Sequence, residues 1–148
     1  MSPLFDLILA NEGDARKIGT SKNIFHDFTV MPTRVLDQVT LDALFALLDP
    51  SSPDIESWWQ VPLYEEGDIW IDQLPDYFVG RLASLSKTER QDISRKWVTA
   101  GGFGFQLVFF KYSLAALQTF VEELLDDLCD FAIEAVKRNQ KIFLRSMP

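Results

Sequence analysis

Residues 113 to 138, SLAALQTFVEELLDDLCDFAIEAVKR, constrain this chain more than any other stretch. Leu114, Leu117, Val121, Leu124, Leu128, Phe131 and Ala135 recur three and four apart, the spacing that puts side chains on one face of an α-helix. Phe120, Leu125, Ala132 and Val136 widen that stripe. Ser113 is placed to cap the first turn, and Tyr112 before it to pack on Leu117 as a hydrophobic staple. Lys137, Arg138 and Lys141 put positive charge at the negative end of the helix dipole. A helix of this extent rises roughly 39 Å, and a compact chain of this length is about 38 Å across. The helix is therefore expected to cross the molecule, with the other segments packed on it. A dimerising coiled coil is the competing reading. The flanks carry Phe120, Leu125 and Ala132 where such a seam needs charges, which favours a core helix and leaves homodimerisation as the alternative.

The chain has 148 residues, which fits one domain spanning 1–148. Hydrophobic residues make up 47%, too many for a disordered chain. Fourteen Lys plus Arg against twenty-two Asp plus Glu give a net charge of −8. Phosphate backbones and anionic lipid surfaces repel such a protein, so neither nucleic acid nor membrane is an expected partner. The single Cys129 excludes an internal disulfide and suits a reducing compartment. No positive residue precedes the short apolar run at the N-terminus, and acids follow it, unlike a signal peptide. No apolar stretch approaches the ~20 residues that a membrane span needs. The expected location is the cytoplasm.

Ser2-Pro3 reads as a helix start, with a short helix through Leu4, Phe5, Leu7, Ile8 and Leu9. Residues 14 to 32 are irregular, with Ile24, Phe25 and Phe28 expected in the core. Thr40 is expected to begin the next helix, stapled by Val39 and Leu44, with Leu41, Leu44, Phe45 and Leu48 on its buried face. Asp49-Pro50 stops it. Ser52-Pro53 repeats the cap-and-proline start before Trp58 and Trp59. QVPLYEEGDIWID, residues 60 to 72, changes period and predicts a β-hairpin about Gly67, limited by Pro62 to an edge. Pro75 opens a helix with Phe78, Leu82 and Leu85 on one side. Ser86 and Glu89 form a capping box for another, which presents Ile93 and Trp97 and ends before Gly101-Gly102. Residues 102 to 112, GFGFQLVFFKY, fit either a strand or a buried connection. Ile142, Phe143 and Leu144 are expected to pack back on the body. The fold class is thus mainly α: a helical bundle around the long C-terminal helix, with a small β-hairpin packed on it.

Few residues carry chemistry. His26 is the only histidine and Cys129 the only cysteine, so the usual zinc ligand sets cannot form within one chain, and no metal site is expected. Gly101-Gly102-Phe103-Gly104 lacks the residues of a phosphate or dinucleotide loop, and no cofactor is expected. His26 reads as a structural residue between Phe25 and Asp27, and Cys129 as inert core. No catalytic residues stand out. Glu122, Glu123, Asp126, Asp127 and Asp130 form the densest charge cluster, three of them in one column four apart. Like charges at that spacing repel by a few tenths of a kcal/mol per pair, roughly. A plainly solvated face is the expected reading; compensation by a cation, by Arg81, Arg90 or Arg95, or by a basic partner protein is the alternative. Trp58 and Trp59 cannot both point inward if helical, so one is available for an exposed aromatic patch, unless both wedge between hairpin and helices.

LDQVTLDALFALLDP, the hairpin leading to DQLPDYFVGRLASL, ISRKWVTA, and the long helix with its KIFLRSMP tail together resemble a family of small uncharacterised bacterial proteins, over roughly residues 30 to 148. The resemblance implies a bacterial, cytoplasmic protein and adds no site. The reading from the residues is a non-enzymatic protein-binding module, of the inhibitor, immunity or adaptor kind. Trp58, Trp59 and the five acids of residues 122 to 130 are its candidate contact residues. The alternative is a small-molecule-binding or hydrolytic protein with carboxylates around an apolar pocket.

Overall fold

The structure is a computed structural model and describes residues 4–33, 35–49, 62–101, 103 and 113–147. Its strands form one antiparallel sheet in the order β2-β1-β5-β4-β3. These are β1 (Leu4–Ala10), β2 (Thr29–Thr33), β3 (Tyr64–Glu66), β4 (Ile69–Gln73) and β5 (Lys141–Met147). The helices are α1 (Ala15–Thr20), α2 (Ile24–Asp27), α3 (Gln38–Leu48), α4 (Asp76–Ser84), α5 (Lys87–Ala100) and α6 (Leu114–Lys137). The fold is α+β, which overturns the expected helical bundle with a small hairpin.

The difference has a physical origin in β1, which replaces the short helix expected through Leu4 to Leu9, and in β5. They pair with each other over seven residues, from Leu4↔Met147 to Ala10↔Lys141, and lie inside the sheet. Leu7 and Leu9 face the helix layer of α3 to α6, together with Ile142 and Leu144. Ile8 and Ala10 face the opposite side, where Phe143, Ile71 and the short helices α1 and α2 form a second core. A strand buried on both faces shows a continuous apolar run, and periodicity alone does not separate it from a buried helix. LFDLILA is such a run. So is KIFL.

The hairpin is present, as β3 and β4 about the turn Gly67-Asp68, where Gly67 takes a φ of 58° that a side chain would resist. It is the margin of the larger sheet, because β4 pairs onward with β5. β3 is the outer strand, where Pro62 just before it costs no ladder bond. Gly19 of α1 approaches the Tyr64 ring so closely that a Cβ there would overlap it.

The long helix forms as read. Ser113 accepts from the Ala116 N–H at 3.1 Å, and Leu117, Val121, Leu125, Leu128 and Ala132 are buried. α4 and α5 pack along it, so its stripe is spent within the chain. Leu114 of the stripe, and Phe120 and Val136 of those that widen it, are instead exposed. Asn139 takes a φ of 54° just past the end, with Gln140 N–H donating to Ala135 O and Asn139 N–H to Val136 O. That pairing satisfies carbonyls the helix terminus would leave open.

α5 carries its capping box: Glu89 N–H donates to Ser86 Oγ at 3.2 Å, and Ser86 N–H to Glu89 Oε1 at 3.0 Å. α3 starts earlier than Thr40. Asp37 is its cap, accepting from the Thr40 N–H at 2.8 Å, while the Thr40 hydroxyl receives the Asp37 N–H at 3.0 Å. Val39 is therefore exposed rather than a staple, although Leu41, Leu44, Phe45 and Leu48 are buried as expected. Phe45 stacks on Phe78 with centroids 4.2 Å apart, joining α3 to α4. The Trp97 indole donates to Thr40 O at 2.9 Å and joins α5 to α3. Phe25 is exposed, against expectation, whereas Ile24 is buried. The helix starts at Ser2-Pro3 and Ser52-Pro53, the Tyr112 staple and nearly all of the 102–112 stretch lie outside the described residues; Phe103 alone is described there, buried edge-on against Trp97.

Candidate functional site

The acids of α6 lie on two sides of its outer surface: Glu122, Asp126 and Asp130 border α5, and Glu123 and Asp127 face solvent. Glu123, Asp126, Asp127 and Asp130 are exposed and Glu122 is half-buried. Their electrostatics are divided. Arg90 of α5 reaches across with Nη1 3.4 Å from Asp126 Oδ1 and 3.5 Å from Asp130 Oδ1. Glu122 accepts from Gln118 Nε2 at 3.1 Å. Glu123 and Asp127 have no ion pair or side-chain hydrogen bond with any described residue. Arg90, one of the three arginines able to compensate the column, thus takes part of it. The rest faces solvent beside the exposed Phe120. Trp58 and Trp59 lie outside the described residues, so they are not placed relative to these acids.

A cleft of about 550 Å³ opens at one end of the sheet, away from this face. Three connections build it: β1 into α1, α2 into β2, and α6 into β5. They bring Asp14 and Lys17 from the first, His26, Asp27 and Thr29 from the second, and Arg138 and Gln140 from the third. His26 Nδ1 lies 3.2 Å from Asp27 Oδ1, and Asp27 Oδ2 accepts from the Ser21 hydroxyl at 2.7 Å. These hydrogen bonds, Ser21 first and His26 second, hold the Asp27 carboxyl below its usual range. Arg138 donates from Nε to Glu134 Oε1 at 2.6 Å and from Nη1 to Thr29 Oγ1 at 3.0 Å. His26, expected from the sequence to be structural, has a side chain that is 80% exposed and borders the cleft. A lone imidazole beside a carboxylate was the available signal. The other members are far apart in sequence and meet only through the strand pairing.

Two buried charged features lie in the sheet. Asp72 of β4 is 1% exposed, on the helix side, and neither carboxylate oxygen has a hydrogen-bond partner among the described residues. Burial pushes its pKa up to about 6; the nearby Gln38 amide offsets this in part without a well-formed bond, its Nε2 donating instead to Ser146 Oγ at 3.1 Å. On the other face Arg145 Nη2 donates to Asp6 Oδ2 at 2.9 Å, across directly paired positions of β5 and β1. Cys129 is buried, and desolvation pushes its thiol up to about 12, which leaves it unreactive. Among the described residues no group of three or more His, Cys, Asp or Glu could hold a metal ion. None of the described helices is long and apolar enough to cross a membrane.

No protein-family model matches the chain, and no curated protein does. A solved structure that does match is the crystal structure of YfbM from Escherichia coli, a protein of unknown function. The TM-score is 0.50 at 12% identity, covering 98% of this chain and 99% of that one. At that identity the likeness is one of fold. It is consistent with the resemblance to uncharacterised proteins and assigns no function here.

Proposed function

We propose that this protein is a non-enzymatic binding module of the bacterial cytoplasm, and that the outer face of α6 engages a basic partner protein. One observation carries the reading. Glu123 and Asp127 stand exposed and without an ion pair among the described residues, next to the exposed Phe120, on a chain of net charge −8. Unshielded carboxylates at this spacing repel one another, and a cationic surface relieves that repulsion while gaining long-range steering. The exposed ring offers an apolar anchor beside the charges. Asp126 and Asp130 are already shared with Arg90 and contribute less.

The test compares wild type with a Glu123→Gln/Asp127→Gln double variant in pull-downs from lysate at low and at high salt. Both positions are exposed, so the variant keeps the fold. The reading predicts a captured basic protein that is lost with salt and lost in the variant. Equal capture by both proteins, or no salt-sensitive partner, contradicts it.

A further inference from the structure

The cleft at the strand ends has an unequal balance of unspent polar groups. Its acids are satisfied internally: Asp14 Oδ2 accepts from the Asn11 N–H at 3.1 Å with Lys17 Nζ 3.6 Å from Oδ1, and Asp27 is held by Ser21 and His26. Its arginine is not. Arg138 uses Nε and Nη1 on Glu134 and Thr29, and Nη2 has no partner among the described residues. A guanidinium has five N–H groups in a fixed plane, so two anchors orient the remainder rather than exhaust it. The Glu134 contact is an exposed i,i+4 pair, which offsets little of the charge. Lys17 pairs with Asp14 at 3.6 Å, but its side chain is 77% exposed, so the pair is weak and open to a competing anion.

We propose that this cleft is a binding site for a small oxyanion, whose charge Arg138 takes through its free Nη2 edge and Lys17 supports. The arginine is pre-oriented by two hydrogen bonds, so less side-chain entropy is lost on binding than for a free surface arginine. The site lies apart from the α6 acids and stands or falls independently of the protein-binding reading.

Titration of the full chain with inorganic phosphate, and separately with succinate, tests this by NMR. The His26 ring and Arg138 Nε–H signals report from inside the cleft, against sodium chloride at matched ionic strength. The expected result is a saturable shift with one or both oxyanions, weakened at least tenfold in Arg138→Gln and several-fold in Lys17→Gln. Saturation by phosphate alone specifies a phosphoryl group as the ligand chemistry, and saturation by both admits carboxylates. Lys17 is exposed, so its variant still reads the site if Arg138→Gln loosens the end of α6. No shift beyond that of chloride, or unchanged binding in both variants, overturns the proposal.

Discussion

At the residue scale the most informative groups are the charges the sheet buries. Asp72 holds its proton more tightly when folded, because burial raises its pKa from 3.8 to about 6. The folded state therefore binds more protons than the unfolded one between these values, and stability falls as pH rises through that window. A carboxyl displaced that far costs the fold on the order of 2–3 kcal/mol once ionised. Asp72→Asn is expected to be more stable than wild type at pH 8, with the difference vanishing near pH 4, as urea denaturation at both pH values would show. An unchanged difference across that range would mean that the carboxyl is not the cause. The Asp6–Arg145 pair behaves differently, since each charge answers the other. Arg145→Met alone should destabilise by about 3–5 kcal/mol by stranding Asp6, while Asp6→Leu/Arg145→Met together should recover most of the loss. A double variant no better than the single one would count against the pairing.

At the scale of elements, local signals were legible wherever one residue's chemistry fixes the backbone. The Ser86–Glu89 box and the Ser113 cap stand where the sequence places them, because a side-chain oxygen three residues from an open N–H has few other uses. Ser86→Ala should cost about 1 kcal/mol in thermal unfolding; no loss would mean that the box contributes nothing. α3 shows the limit of such signals. Thr40 is a member of its cap, but Asp37 three residues earlier is the cap itself. The central strands were illegible for a stronger reason. Leu7, Ile8, Leu9 and Ile142, Phe143, Leu144 are buried on alternating faces, so neither period appears in the sequence. Length was the remaining cue, because a seven-residue run suits a strand better than a helix.

For the whole molecule, the two candidate sites differ in how they could be read. The α6 acids were visible as a cluster because a helix brings neighbours in sequence together in space. The cleft was not visible, because Lys17, His26 and Arg138 converge only once β1, β2 and β5 lie side by side. The long helix organises α4 and α5, but the pairing of the chain's two ends as β1 and β5 joins everything else. The sheet is accordingly the claim on which the cleft depends. Cross-strand NMR contacts between the paired residues Leu7↔Leu144 and Ile8↔Phe143 test it most directly. The account predicts backbone contacts at both pairs and an extended backbone through residues 4 to 10. Helical amide-to-amide contacts along that segment, with no link to residues 141 to 147, would contradict it.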